Sequence, residues 1–155
     1  MIKFIRVDHR LLHGQTALSW YGATHANCVL IANDDVPNDP IRKATTKMAR
    51  PVGAKLVIMP IQKSIDQINS GIADKYDIMI VVESIHDAYR LISGLKDKPE
   101  SLNLGGTKKT DDTENISTAV NVTAQDKVEL KKLSTSGVKV YIQQVPTAAS
   151  KTVDF

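Results

Sequence analysis

Arg10, His13, Gly14 and Gln15 stand where an apolar run, Met1 to Val7, breaks into charge and gives way to helix-forming sequence. An imidazole whose pKa is about 6.5 offers an uncharged, nucleophilic nitrogen at neutral pH, so His13 in that place is suited to take up a phosphoryl group. The N–H groups opening the next helix, with the guanidinium of Arg10, supply what is needed to hold the resulting anion. Gly14 would let the backbone approach a phosphate closely, and would serve equally as a turn glycine. Arg6 and Asp8 alternate at the end of the apolar run, where they either orient the loop or pair with one another; Asp8 is read as orienting. Plainer uses exist for the others: His13 as a polar residue opening a helix, Arg10 as a solvated loop charge.

Other reactive side chains point elsewhere. His9 and His13 stand four residues apart, but the helical zinc-protease pattern puts a glutamate directly after its first histidine, where this chain has Arg10, a cation that repels a metal. His25 and His86 have no partner at ligand spacing and read as surface or helix-end residues. The one cysteine, Cys28, lies inside the apolar run Cys28 to Ile31, which suits core packing better than an exposed, activated thiolate. Gly105-Gly106-Thr107-Lys108-Lys109-Thr110 combines a flexible backbone with two cations, yet it lacks the P-loop spacing, and no dinucleotide-type glycine pattern follows the first strand. Gly105 and Gly106 are read as a strand-exit turn or, with Thr107, as a wall of the site; Asn33 and Asp34 as a turn pair or a neighbouring wall. No metal and no cofactor is expected.

These residues are positioned by a chain of 155 residues, enough for one core that buries about two-thirds of its unfolded surface. A formal charge of +3 is too small to argue for nucleic acid. No apolar stretch approaches the roughly 20 residues of a membrane span, and Lys3 and Arg6 interrupt the N-terminal run before it resembles a signal peptide. With a lone cysteine, a reducing cytoplasm is the expected compartment, so the formal glycosylation acceptors at Asn115 and Asn121 carry no weight. Runs rich in β-branched residues alternate with amphipathic ones, which predicts an α/β fold: an open, mostly parallel sheet of about seven strands with helices on both faces. Predicted strands are Ile2 to Val7, Cys28 to Ala32, Lys55 to Met59, Asp77 to Val82, Ser101 to Leu104, Thr118 to Val120 and Val138 to Gln143. Predicted helices are Gln15 to Ala23, Asp39 to Ala49, Ser64 to Asn69, Ile85 to Leu95 and Ala124 to Ser134, with Ser84 and Thr123 as caps and Gly71 and Gly137 as helix ends. Open parallel sheets bind ligands outside the carboxyl ends of their strands, and Asp8 to Gly14, Asn33 to Asn38 and Gly105 to Thr110 all fall on that edge.

The segment Arg6 to Gln15 closely resembles the active-site loop of mannose-family IIB proteins of the bacterial phosphoenolpyruvate-dependent sugar phosphotransferase system. Ala32 to Lys43, Asn103 to Gly106 and Gln144 to Thr147 are similar to further landmarks of that family, in the family's order, so the likeness covers nearly the whole chain. One position differs: an acidic residue often stands where this chain has His9. The resemblance implies a central first strand flanked by the fourth and fifth. It also implies phosphorylation of His13 at Nδ1 by the phosphohistidine of a IIA partner, and transfer to a sugar handled by membrane IIC and IID partners. That would make the chain a cytoplasmic phosphocarrier, peripherally associated with the transporter and free to form a homo-oligomer. The rival reading is a non-catalytic IIB-like regulatory or anion-binding domain using the same loop. The sugar is not legible.

Overall fold

Five consecutive residues are buried in each of two strands, Cys28–Ala32 and Ile78–Val82, which is possible only for strands covered on both faces. The computed structural model describes all residues from Met1 to Phe155. Its elements are β1 (Ile2–Asp8), α1 (Gly14–Thr24), β2 (Cys28–Ala32), a 3-10 turn (Val36–Asn38), α2 (Pro40–Met48), β3 (Lys55–Met59), α3 (Ile61–Asn69), β4 (Ile78–Val82), α4 (Ile85–Gly94), β5 (Ser101–Gly106), β6 (Glu114–Ser117), β7 (Val120–Val122), α5 (Ala124–Thr135), β8 (Lys139–Ile142) and β9 (Lys151–Thr152). Seven strands form one sheet in the order β3-β2-β4-β1-β5-β8-β9. All of its pairings are parallel except β8 with β9.

This is the open, mostly parallel α/β sheet the sequence predicts, and β1 lies between β4 and β5 as the resemblance implies. On one face α3, α4 and α5 bury Ile61, Ile65, Leu91, Ile92, Leu130 and others against the sheet. On the opposite face Ala17 and Trp20 of α1 pack with Phe4, Val29, Ile31, Met79 and Val81, and Phe4 and Trp20 stack at 4.4 Å between ring centroids. No helix is long and apolar enough to cross a membrane.

The caps follow their sequence signals: Ser84 accepts the N–H of Asp87, and Thr123 and Asp126 form a reciprocal capping box. Most element ends fall within a residue or two of the prediction, and three differences are larger. Thr118 to Val120 is not a strand of the main sheet; Thr118 and Ala119 turn between β6 and β7, which form a separate antiparallel pair. The seventh strand of the sheet is β9, two residues long, too short to carry any periodicity. Helix α3 starts at Ile61, three residues before the predicted start, because the carboxylate of Asp34 accepts the Ile61 N–H at 3.0 Å. A cap supplied from 27 positions away leaves no local trace in the sequence.

Candidate functional site

The loop that leaves β1 makes two left-handed residues within four positions, Leu11 at φ 59° and Gly14 at φ 46°. For glycine this is unstrained, whereas for leucine it costs on the order of 1–2 kcal/mol. Leu11 and Leu12 are buried with Ala17 and Trp20, and that burial offsets the strain. With the two leucines anchored, the chain reverses so that His13, in extended conformation, is the N-cap residue of α1. No side chain caps this helix, so the first N–H groups, from Gly14 onward, open the helix without a side-chain acceptor. Gln15 is exposed at the same end.

Asp8 holds the loop together from beneath. Only 1% exposed, its Oδ1 accepts the backbone N–H of Arg10 at 3.0 Å and its Nε at 3.2 Å, while Oδ2 accepts Nη2 of Arg6 at 3.3 Å and Nη2 of Arg10 at 3.4 Å. Burial alone would raise the Asp8 carboxyl, but the Arg10 hydrogen bonds and the two guanidinium charges outweigh it, and the group titrates below its usual range. Arg6 is also buried; its Nη1 donates to Asn103 Oδ1 at 2.6 Å and to the Gln143 carbonyl at 3.1 Å. Burial weakens its hold on the proton, opposed by Asp8. Arg10 differs: its side chain is 45% exposed and its Nη1 carries no hydrogen bond. Burial first, and then the positive charge of Arg10, push the His13 imidazole below its ordinary pKa, so it is neutral at pH 7.

Around His13 the enclosed space is a seam of only about 10 Å³, lined by Arg6, Asp8, Leu12, Thr16 and Trp20 among others. That is room for one water and no small substrate. A reaction partner of the imidazole would therefore have to approach it from outside.

The other predicted wall residues part company. Gly105 and Gly106 end β5 rather than forming a turn. A Cβ on Gly105 would lie 2.0 Å from the Arg6 guanidinium carbon, so the glycine makes the space that Arg6 occupies. Gly106 accepts the His9 N–H at 3.0 Å through its carbonyl. Thr107 braces β7 through Asn121, donating to its carbonyl and accepting its N–H, and borders, with His9, Glu83 and Lys108, a separate polar cleft of about 250 Å³. Asn33 accepts the N–H groups of Asp35 and Val36 and donates to Glu83. Asp34 caps α3 and pairs with Arg90 at 2.7 Å. Both brace the loop after β2 instead of lining the His13 seam. His86 bonds the buried Glu129 at 3.0 Å, joining α4 to α5, and Cys28 is buried with its thiol pushed up by desolvation. No three metal-ligating side chains gather anywhere.

Three residues have supporting roles that the sequence does not assign, although Asn103 and Gln144 open two of the family-like segments. Asn103, fully buried, holds Arg6 and donates to the Gln143 carbonyl. Trp20 lies under Arg6, 5.7 Å from its guanidinium carbon, and donates Nε1–H to the Gln144 carbonyl. Gln144 in turn donates to the Gly105 carbonyl. An asparagine within a strand otherwise apolar was the available signal, since a buried amide must find partners.

Residues 2–155 match the family model of the sorbose-subfamily IIB component of the phosphotransferase system. The chain belongs to the mannose/sorbose family of phosphotransferase-system IIB components. Within that family it is 34% identical over 142 residues to the N-acetylgalactosamine-specific phosphotransferase enzyme IIB component 2 of Escherichia coli K12, covering 92% of this chain and 89% of that one. It is 30% identical over 153 residues to the sorbose-specific EIIB component of Lacticaseibacillus casei, covering 99% and 93%. The crystal structure of N-acetylgalactosamine-specific IIB component 1 from Escherichia coli superposes with a TM-score of 0.92 at 26% identity, over 99% of this chain and 100% of the other. A mannose/sorbose-family IIB component is a sugar phosphotransferase subunit.

Proposed function

We propose that His13 is the phosphoacceptor of this IIB component. It takes the phosphoryl group from a phosphohistidine of the IIA partner and passes it to a sugar at the membrane IIC and IID partners, acting from the cytoplasm. The observation that carries this reading is the pairing of an imidazole held neutral with an uncapped helix N-terminus and a half-exposed guanidinium, at a point with no pocket of its own. In the first step the Nδ1 lone pair of His13 attacks phosphorus as the donor's P–N bond breaks, and that bond's electron pair returns to the donor imidazole. In the second a sugar hydroxyl oxygen attacks phosphorus as the P–N bond to His13 breaks, the bond's electron pair returning to the imidazole and the hydroxyl proton passing to solvent. Little else is asked of the protein, because in-line positioning and charge stabilisation dominate phosphoryl transfer.

Arg10 Nη1 and the N–H groups at Gly14 and Gln15 hold the transferring oxygens, with Asp8 and Arg6 fixing Arg10 in place. The holding is moderate by construction: Asp8 already neutralises part of the Arg10 charge, so the phosphoryl is stabilised in flight and still leaves. The test is incubation with phosphoenolpyruvate, the general phosphotransfer proteins and the cognate IIA. An acid-labile, alkali-stable phosphate mapped to His13 is expected, followed by its discharge to sugar in membranes carrying IIC and IID. Label on His9 or Cys28, or label that never discharges, refutes the reading, and the second result favours a regulatory domain.

A further inference from the structure

Charge is distributed unevenly along this chain. From Pro40 to Ile65 there are six Lys and Arg and no Asp or Glu, twice the formal +3 of the whole chain, so the remainder is net negative. The stretch folds into α2, β3 and the start of α3 at the β3 edge of the sheet, where β3 pairs with β2 alone. Lys43, Lys47 and Arg50 line one side of a shallow groove of about 580 Å³ whose other side is the apolar trio Leu56, Val57 and Ile58. None of the three cations takes part in an ion pair.

Beside this groove, large apolar side chains stand in water. Ile41 is 79% exposed, Met48 87% and Val52 99%. Ile41, Ala44 and Met48 are spaced three and four apart, so they form one ridge along the outer face of α2. Lys43 and Lys47, four apart, form the adjoining ridge. Protruding apolar tips next to cations on long aliphatic stems suit a soft, anionic interface, in which the tips enter the acyl boundary and the ammonium groups meet phosphates. A second copy of the chain packed face to face is a poor occupant, because its own Lys43, Lys47 and Arg50 would face these.

We propose that the α2–β3 face binds the surface of an anionic phospholipid bilayer directly, with headgroup phosphates in the groove between Lys43, Lys47 and Arg50 and with Met48 and Val52 inserted. The face lies to the side of the catalytic edge: β2 and β4 separate β3 from β1, roughly 14 Å at the usual strand spacing. Attachment to lipid therefore leaves the His13 loop open to its protein partners, and raises the local concentration of the carrier at the membrane.

Co-sedimentation with lipid vesicles tests this, with no transporter present. The protein should bind vesicles containing about a third phosphatidylglycerol, bind phosphatidylcholine vesicles far less, and dissociate as salt rises. Each cation close to an anionic surface strengthens partition about fivefold, so K43Q/K47Q should weaken binding about 25-fold. M48S/V52S should weaken it about tenfold, and both pairs, remote from the His13 loop, should leave phosphorylation by IIA in solution unchanged. The control K131Q/K139Q alters charge equally on other elements and should bind as the parent does. Replacing chloride by inorganic phosphate at equal ionic strength should cause no extra release. Failure to bind anionic vesicles, equal loss in the control, specific release by phosphate, or binding only to membranes carrying IIC and IID each overturns the proposal; the last assigns the face to an acidic protein surface.

Discussion

The loops after β1 and after β2 leave the same edge of the sheet, and both bring carboxylates and arginines together. After β1 a single carboxylate, Asp8, serves two guanidinium groups, Arg6 and Arg10. After β2 the arithmetic is reversed. Arg42 pairs with Glu83, while Arg90 pairs with Asp34 and lies 3.7 Å from Asp87, so acids outnumber the cations. The first loop keeps a positive excess on a half-exposed guanidinium beside a neutral imidazole. The second is a closed set of braces. Residue types alone do not distinguish a loop that keeps a cation in excess from one that is wholly braced; the balance of partners after folding does.

The comparison is broken most severely at His13. H13A should abolish phosphorylation, whereas H9A should retain it, as peptide mapping of the labelled protein will show. The depressed imidazole pKa gives this a pH signature. The phosphoacceptance rate should hold from neutrality down past about pH 6.5, where a free histidine is already half protonated, and fall only at lower pH as His13 itself takes up a proton.

Loss of the positive excess comes next. R10A removes a contact that strengthens as charge is transferred, and should slow transfer by about 100-fold or more in rapid-quench measurements. Thermal stability should fall less than in D8N, because the Arg10 side chain is 45% exposed and Asp8 keeps Arg6 and the backbone N–H of residue 10 as partners. R10K should restore only part of the rate, since an ammonium cannot hold Asp8 and phosphate in one plane. Near-normal transfer by R10A would erase the distinction between the two loops.

D8N tests the carboxylate that both arginines share. It leaves Arg6 buried without its counter-charge, which costs about 3–5 kcal/mol in denaturant unfolding, and it loosens Arg10 enough to slow transfer as well. The folded-state pKa of Asp8 is depressed, so its contribution is fully present above the ordinary carboxyl pKa and is lost as pH falls through the lower folded value. The parent should therefore lose stability relative to D8N below about pH 4.

R90A, on α4 but bracing the second loop through Asp34, should leave transfer unchanged and shift stability by no more than about 1 kcal/mol, because both members of the pair are substantially exposed. A transfer defect in R90A would make the second loop part of the site. The smallest effect is expected at Lys108 and Lys109. Reversing both charges should lower the association rate with IIA a few-fold, more at low salt than high, while the rate within the complex stays constant; stopped-flow phosphorylation against IIA concentration separates the two.

Much of this molecule was legible in advance. The alternation of β-branched runs with amphipathic segments determined a parallel sheet covered on both faces, and the spacing of Asp8, Arg10, His13 and Gly14 placed the candidate chemistry on its carboxyl edge. What could not be read were pairings over long separations. Asn103 and Gln143 beneath Arg6, the Gly105 space that admits a guanidinium, and the Asp34 cap on α3 join residues 27 to 137 positions apart. The two-residue strand β9 and the hairpin of β6 and β7 also lacked any periodic signal. Local sequence fixes backbone preference and the side of a strand on which a residue falls, because those depend on neighbours a few residues away. Whether a buried arginine or carboxylate is satisfied depends on groups that only the closed sheet brings within hydrogen-bonding distance, and tertiary structure alone therefore decided that Asp34 braces while Arg10 keeps a free edge.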